Sequence, residues 1–165
     1  MDPNNGKILA LVGGRNYAKS QYNRATDSKR QVGSTIKPFL YYAALENGFT
    51  SSTTFTSEKT TFTFSYDKTY SPKNYGDIYA QKPITMAAAI AYSDNIYAVK
   101  THLFLGEDTL VNLTSRIGIN DKLEPIPSLA LGSQEINLVD MTEAYSTFAN
   151  EGYKIDGYFI EKVTD

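Results

Sequence analysis

The position of Pro38 constrains this chain more than any other single residue. Proline has no backbone N–H and is tolerated in a helix only within the first turn, so a helix that contains Pro38 must begin near Ser34. Apolar residues then recur at mostly helical spacing, and Gly48 stands where a helix C-cap belongs. The sequence therefore predicts a helix from Ser34 to Asn47, with the Ser34 hydroxyl at its N-terminus.

A hydroxyl and an amine share one face of that helix. Lys37 follows Ser34 at i+3, where Cβ atoms lie about 5–6 Å apart, so the amine can reach the hydroxyl. The helix N-terminus favours an alkoxide or oxyanion, and a desolvated lysine has a lowered pKa that lets it take the serine proton. The pattern predicts a nucleophilic Ser34 activated by Lys37. In the alternative, Ser34 is only a helix cap and Lys37 a solvated surface residue.

A second polar motif lies between two predicted helices. Pro83 is expected at the start of a buried helix that covers Ile84 to Tyr92, and a further helix runs from Asn95 to Leu105 with Asp94 as its cap. Ser93-Asp94-Asn95 therefore offers, at a helix junction, a hydroxyl that could relay a proton and an amide that both accepts and donates. The alternative is a motif that only caps the junction, because Ser, Asp and Asn are preferred caps.

The remaining patterns predict helices between short strands. Apolar runs at Ile8–Val12 and Tyr158–Val163 indicate strands, and alternation at Thr61–Phe64 indicates a hairpin strand. Helical spacing predicts two more helices, one over Glu107–Ile117 and one from near Asn137 to Gly152. This order predicts one α+β domain, in which a cluster of helices packs against a small antiparallel sheet.

Composition excludes several classes of function. The chain has no cysteine and one histidine, His102, so zinc, iron–sulfur and thiol chemistry lack their usual groups and we expect neither metal nor cofactor. His102 is expected to be a packed or capping residue. A formal net charge of −2 without a basic block argues against nucleic acid as a partner. We find no signal peptide and no apolar run of the roughly 20 residues that span a membrane.

The sequence around the two motifs also resembles that of a known family. Ser34-Thr35-Ile36-Lys37 and Ser93-Asp94-Asn95 are similar to the first two of three signatures of penicillin-binding proteins and class A β-lactamases. The stretches Gly6–Gly14, Arg30–Phe39 and Ala144–Gly152 resemble the transpeptidase domain of bifunctional, class A penicillin-binding proteins. The resemblance covers nearly the whole chain and implies a transpeptidase fold of the penicillin-binding and serine β-lactamase type.

The resemblance also implies an activity and roles for four residues. The activity is D,D-transpeptidation in cell-wall synthesis, on peptidoglycan stem peptides that end in D-Ala-D-Ala. Ser34 would attack the carbonyl of the penultimate D-Ala, and Lys37 would act as its base. Ser93 would relay a proton to the leaving group, and Asn95 would contact the amide backbone of the substrate. β-Lactams would acylate the same Ser34 hydroxyl.

One signature of the family is not found. Lys59-Thr60-Thr61 and Lys68-Thr69-Tyr70 lack the glycine of a Lys-Thr-Gly motif and precede Ser93. We expect that motif beyond Asp165, so that residues 1–165 form a partial domain whose partner is the C-terminal part of the same domain. The resemblance further implies a preceding glycosyltransferase domain and membrane anchor, which would place the protein on the extracytoplasmic face of a bacterial membrane.

Two other functions remain open from the sequence. A serine β-lactamase would use the same Ser–Lys pair, but we recognise no motif for the glutamate that deacylates such enzymes. A non-catalytic penicillin-binding sensor or interaction domain could keep the fold, with Ser34 and Lys37 as structural residues.

Overall fold

The computed structural model of this chain describes residues 1–64 and 68–165. These residues form two compact units. The first contains Met1–Gln31, Thr114–Lys122 and Gln134–Asp165, and the second contains Val32–Leu113 and Leu123–Ser133. Each unit contains helix and paired antiparallel strands, which confirms the predicted α+β class.

The secondary structure consists of short strands and helices of moderate length. The α-helices are α1 (Lys37–Glu46), α2 (Met86–Tyr92), α3 (Asn95–Leu105), α4 (Glu107–Arg116) and α5 (Leu138–Ala149). The strands are β1 (Lys29–Gln31), β2 (Thr54–Ser57), β3 (Phe62–Thr63), β4 (Thr69–Tyr70), β5 (Lys82–Thr85) and β6 (Glu135–Asn137). They pair antiparallel as β1 with β6, β2 with β5, and β3 with β4, so the hairpin predicted at Thr61–Phe64 is confirmed. Within the described ranges, no helix has the length and apolar character needed to cross a bilayer.

Helix α3 forms the centre of the second unit. Residues 96–99 are fully buried, and the ring of Tyr97 meets those of Tyr41 and Phe55 edge-on, at centroid distances of 6.1 and 5.3 Å. Burying one large apolar side chain contributes about 1.5–3 kcal/mol to folding, so this helix is firmly held. Its predicted bounds and its Asp94 cap are confirmed: the Asp94 carboxylate accepts a hydrogen bond from the Tyr97 N–H at 2.7 Å.

Asn137 connects the strand pair of the first unit to helix α5. It pairs with Lys29 across the β1–β6 ladder, and its side-chain oxygen accepts a hydrogen bond from Val139 N at 2.8 Å. Its amide nitrogen donates to the carbonyl of Thr26 at 2.6 Å. The start of α5 near Asn137 is therefore confirmed, and one side chain both caps the helix and anchors the loop before β1.

The first helix begins later than predicted. Gly33–Ile36 forms a 3₁₀ turn, and α1 starts at Lys37 instead of Ser34. Pro38 lies in the first turn of α1, where its missing N–H is harmless. The proline rule therefore located the first turn of the α-helix correctly, but it could not distinguish that turn from the 3₁₀ turn before it.

The prediction of a buried helix over Ile84–Tyr92 was wrong in two respects. Pro83 lies in β5 opposite Thr56 of β2, and Thr85 caps α2 by accepting a hydrogen bond from Ala88 N at 3.2 Å. Only Met86 and Ala89 of α2 are buried. Proline is tolerated in a strand that pairs on one side, and small alanine side chains form a helix without being packed in a core.

The two strands predicted near the ends of the chain were also wrong. Ile8–Val12 and Tyr158–Val163 do not form strands, and an isolated parallel bridge between Lys7 and Tyr158 joins these segments. Val12 is 82% exposed. Among the described residues no strand lies alongside either run, and an apolar run needs a partner for its backbone groups before it becomes a strand.

Candidate active site

Lys37 connects the first turn of α1 to the junction between α2 and α3. Its side chain is buried, with 3% of the residue exposed. The Nζ atom donates hydrogen bonds to the carbonyl of Ser93 at 2.7 Å, to Ser93 Oγ at 3.0 Å and to Asn95 Oδ1 at 2.6 Å. Three of the four residues that the sequence predicts for the site therefore lie in one hydrogen-bonded cluster. The alternative in which Lys37 is a solvated surface residue was wrong.

The surroundings of Lys37 lower the pKa of its amine. Burial lowers the pKa of Lys37 from 10.5 to about 8, and the Asp94 carboxylate opposes this effect by favouring the charged form. A group with a pKa near 8 is neutral in roughly a tenth of the molecules at pH 7. The partners that receive its hydrogen bonds are an amide oxygen, a hydroxyl and a carbonyl, and these neutral acceptors favour the protonated amine less strongly than a carboxylate in the same place would.

Ser34 lies one turn before Lys37, in the 3₁₀ turn, and its side chain is exposed. The Lys37 backbone N–H donates to the carbonyl of Ser34, which closes this turn. Within residues 1–64 and 68–165, the Ser34 hydroxyl has no hydrogen-bond partner. The structure thus leaves the hydroxyl open to an incoming group, and the proton transfer from Ser34 to Lys37 stays a prediction.

Two glycines fix the turn that carries Ser34. Gly33 N donates to the carbonyl of Gly132 at 3.0 Å, and both residues have left-handed backbone, with φ of +56° and +68°. A Cβ atom on Gly132 would overlap the backbone N and O atoms of Gly33. Only glycine allows this approach of one backbone to another. Sequence reasoning did not predict this contact.

The junction at Ser93 has unusual backbone geometry. Ser93 is left-handed, with φ of +53° and ψ of +45°, which costs a residue with a side chain about 1–2 kcal/mol. Its carbonyl receives one of the Lys37 hydrogen bonds. The next residue, Asp94, is buried, and its Oδ2 atom accepts from Ser57 Oγ at 2.5 Å and from Asn74 Nδ2 at 2.7 Å. Sequence reasoning missed Ser57 and the role of Asn74, because no spacing rule connects them with residue 94.

His102 is a packed residue, as predicted. It is fully buried, and its Nε2 atom lies 3.2 Å from the carbonyl of Ile126. Burial lowers the pKa of His102, so the ring is neutral in the folded chain at neutral pH. In the part of the chain that the structure describes, no group of three or more acidic, histidine or cysteine side chains is arranged to hold a metal ion.

Comparison with known proteins identifies the family. The model for the penicillin binding protein transpeptidase domain matches residues 1–165. The chain belongs to the penicillin-binding protein transpeptidase family. Penicillin-binding protein 2D of Bacillus subtilis is 52% identical to this transpeptidase chain over 100% of the chain and 24% of the relative. Penicillin-binding protein 1A of Aquifex aeolicus is 40% identical over 100% of the chain and 23% of the relative.

Solved structures agree with this assignment. Penicillin-binding protein 1A from Haemophilus influenzae superposes with a TM-score of 0.94 at 37% identity, over 100% of this chain and 25% of that one. An imipenem acyl-enzyme complex of penicillin-binding protein A from M. tuberculosis gives 0.75 at 21% identity, over 88% of this chain and 38% of that one, which bears on the fold alone. The predicted family and transpeptidase fold are confirmed. This transpeptidase chain spans about a quarter of the length of the curated relatives that it matches.

Proposed function

We propose that this chain provides part of the active site of a D,D-transpeptidase, an acyltransferase that cross-links peptidoglycan through a serine acyl-enzyme. The observation that carries the proposal is the buried Lys37 amine, held by Ser93 and Asn95 one turn from the exposed Ser34 hydroxyl. A buried lysine with a lowered pKa can remove a proton from a neighbouring alcohol. Membership of the transpeptidase family supports the reaction class.

The first half of the reaction forms an ester on Ser34. The Ser34 oxygen attacks the carbonyl carbon of the penultimate D-Ala while the neutral amine of Lys37 takes the hydroxyl proton. The tetrahedral intermediate then breaks its C–N bond, and the terminal D-Ala leaves as an amine. That amine receives the proton from Lys37 through the Ser93 hydroxyl, which lies 3.0 Å from the lysine nitrogen.

The second half of the reaction releases the ester. An amine from a neighbouring stem peptide attacks the acyl carbon and forms a C–N bond, and the ester bond from that carbon to Ser34 Oγ breaks. The proton lost by the amine passes through the same residues to Ser34 Oγ, and the new amide is the cross-link. Two acyl transfers replace one direct exchange between amides, which is the advantage of covalent catalysis. β-Lactams would acylate Ser34 in the first half and leave a stable ester, which makes the protein an antibiotic target.

The Asn95 carboxamide can form further hydrogen bonds to a substrate. Its Oδ1 atom accepts from Lys37, and its Nδ2 atom donates to the carbonyl of Lys73 at 2.6 Å. A carboxamide accepts two hydrogen bonds and donates two, so with respect to residues 1–64 and 68–165 one position remains at each end. We assign these positions to the amide backbone of the stem peptide.

We propose that the rest of the same domain completes this site, with a Lys-Thr-Gly strand that binds the substrate carboxylate and supplies an oxyanion donor. Removing one such donor typically lowers the rate by about 10²–10³-fold. Peptidoglycan lies outside the cytoplasmic membrane of bacteria, so the whole protein would act at the extracytoplasmic face, held there by an anchor outside residues 1–165.

Intact-mass measurement of the full-length protein after addition of a penicillin tests the proposal. We expect a stable adduct that maps to Ser34 and is lost in Ser34→Ala. The exposed Ser51 provides a matched control, since Ser51→Ala should label like the wild type. Rapid loss of the adduct with hydrolysis of the drug would instead support the serine β-lactamase. Absence of any adduct would support a non-catalytic sensor or interaction domain.

A further inference from the structure

Asn74 lies outside both sequence motifs, yet its side chain is bonded to the residues that hold Lys37. Its Oδ1 atom accepts hydrogen bonds from Asn95 N at 2.8 Å and from Ile96 N at 3.3 Å. Its Nδ2 atom donates to Asp94 Oδ2 at 2.7 Å and to the carbonyl of Ile78 at 3.0 Å. All four hydrogen-bonding positions of the carboxamide are therefore used, and three of them serve residues 94–96.

These contacts meet a requirement of helix α3. The first backbone N–H groups of a helix have no partner inside the helix and need side chains or water. Asp94 satisfies the N–H of Tyr97, and Asn74 satisfies those of Asn95 and Ile96. Two side chains from different parts of the chain thus fix the start of α3, and they are bonded to each other.

The same contacts restrain the acceptors of the Lys37 amine. Among the described residues, Lys37 Nζ donates hydrogen bonds to Ser93 and Asn95 alone, the two neighbours of Asp94. Ser93 is in a left-handed conformation that is stable only if the surrounding contacts hold it. Releasing the Asn95 backbone would therefore let the acceptors move and admit water to the buried amine.

We propose that Asn74 is a positioning residue for the Ser34–Lys37 site: it holds the Ser93-Asp94-Asn95 turn so that Lys37 stays buried and aligned. This inference rests on the proposed function. Asn74 makes no hydrogen bond to Ser34 or Lys37 and acts through Asn95 and Asp94. This positioning role uses both ends of the Asn74 carboxamide. The oxygen accepts hydrogen bonds from the helix N–H groups, and the nitrogen donates one to the Asp94 carboxylate.

The test measures the rate at which a fluorescent penicillin acylates the full-length protein between pH 6 and 9. Asn74→Ala removes the donor and the acceptor, and we expect acylation to slow by about 10²-fold, the usual consequence of misplacing a reacting group by about 1 Å. Asn74→Asp keeps an acceptor but adds a negative charge beside Asp94, the charged group that already acts on Lys37. The two adjacent carboxylates repel and favour a shared proton, and where both are ionised the added negative charge stabilises the protonated amine and should move the midpoint of the pH profile upward.

Asn47 provides the matched control. Its Nδ2 atom donates to the carbonyl of Ala43 at 2.8 Å, at the end of α1 opposite to Lys37. Asn47 is exposed, and Asn47→Ala loses this carboxamide hydrogen bond, so it should lower stability slightly without changing the acylation rate or its pH profile. A double-mutant cycle between Asn74→Ala and Asn95→Ala should be non-additive, since both changes release the same turn.

The outcomes separate this inference from the proposed function. If the wild-type protein is not acylated at Ser34, the proposed function fails. If the wild type is acylated and both Asn74 variants match it in rate and pH profile, only the positioning role fails. Thermal unfolding is followed in parallel. Loss of acylation that accompanies loss of cooperative unfolding in both variants would make Asn74 a folding residue and would also overturn the positioning role.

Discussion

Lys37 Nζ donates a hydrogen bond of 2.6 Å to Asn95 Oδ1, although the two residues lie 58 positions apart and on different helices. The bond joins the first residue of α1 to the first residue of α3. Because this acceptor is an uncharged amide, it orients the amine and favours the protonated form less strongly than a carboxylate would. The amine is thus fixed in place while burial keeps its pKa low.

Acylation of Ser34 should depend on the protonation of Lys37. The rate of penicillin acylation is expected to rise with pH through a midpoint of about 8, since the base that we propose is the neutral amine of Lys37. Lys37→Arg keeps the positive charge at every pH in the assay and should lower the rate by about 10²–10⁴-fold. Lys100, which donates to the carbonyl of Thr56, provides the control, and Lys100→Arg should keep the wild-type profile. A Lys37→Arg protein that reacts at the wild-type rate would exclude Lys37 as the base.

The stability of the protein should also report on Lys37. Between pH 8 and 10.5 the folded state holds a neutral amine while the unfolded state still binds the proton, so the free energy of unfolding rises with pH. One pKa unit corresponds to about 1.4 kcal/mol, which predicts a gain of about 2 kcal/mol between pH 8 and 9.5. The Lys37→Met protein has no titrating amine at this position, so its free energy of unfolding should not show this rise with pH. Urea titrations of both proteins at the two pH values measure the difference, and parallel curves would refute the lowered pKa.

Gly132→Ala should disturb the turn that carries Ser34. The new methyl group overlaps the backbone of Gly33, and the residue also has a positive φ. We expect a loss of stability larger than the roughly 1–2 kcal/mol of left-handed strain alone, and slower acylation because the Ser34 turn is displaced. Gly48→Ala isolates the strain, since Gly48 has φ of +87° but open space around the new methyl group. If the two substitutions had equal effects on unfolding and acylation, the close approach of Gly132 to Gly33 would not be what holds the Ser34 turn.

His102 should make the protein sensitive to mild acid. Its pKa is lowered in the folded state, so below about pH 6.5 the unfolded state binds more protons and the free energy of unfolding decreases. It is the one histidine of the chain. His102→Gln does not titrate, and its stability should change less between pH 7 and 5.5 than that of the wild type. Denaturant midpoints at both pH values provide the measurement, and an equal decrease in the two proteins would point to carboxylates instead.

Local signals predicted the helices that begin at a side-chain cap. Asp94 before α3 and Asn137 before α5 are caps whose partners lie within three residues, so the sequence contains the whole interaction. Pro83 was misassigned because its environment depends on a strand far away in the chain, where Thr56 lies opposite. Strand pairing is non-local, and local propensity cannot show which runs find a partner.

In the candidate site, too, local sequence patterns predicted some residues, and contacts between distant segments determine the roles of others. The helical spacing of Ser34 and Lys37 and the helix junction at Ser93 predicted the candidate residues, and the structure joins Lys37 to that junction by a hydrogen bond. The supporting residues Asn74 and Gly132 act through contacts with segments remote in sequence. A carboxamide or a glycine in a loop has no distinctive spacing, so these two roles became visible only from coordinates.

The close approach of Gly132 to Gly33 also bears on when the Ser34 turn can form during synthesis of the protein. All the residues between positions 33 and 132 must leave the ribosome before residue 132 can reach the turn at residue 33, and closing so long a loop requires the elements between them to be ordered. A nascent chain that has emerged only as far as α1 therefore lacks the contact that fixes the Ser34 backbone. During synthesis, reactivity at this hydroxyl should appear late, after the polypeptide has folded back on itself.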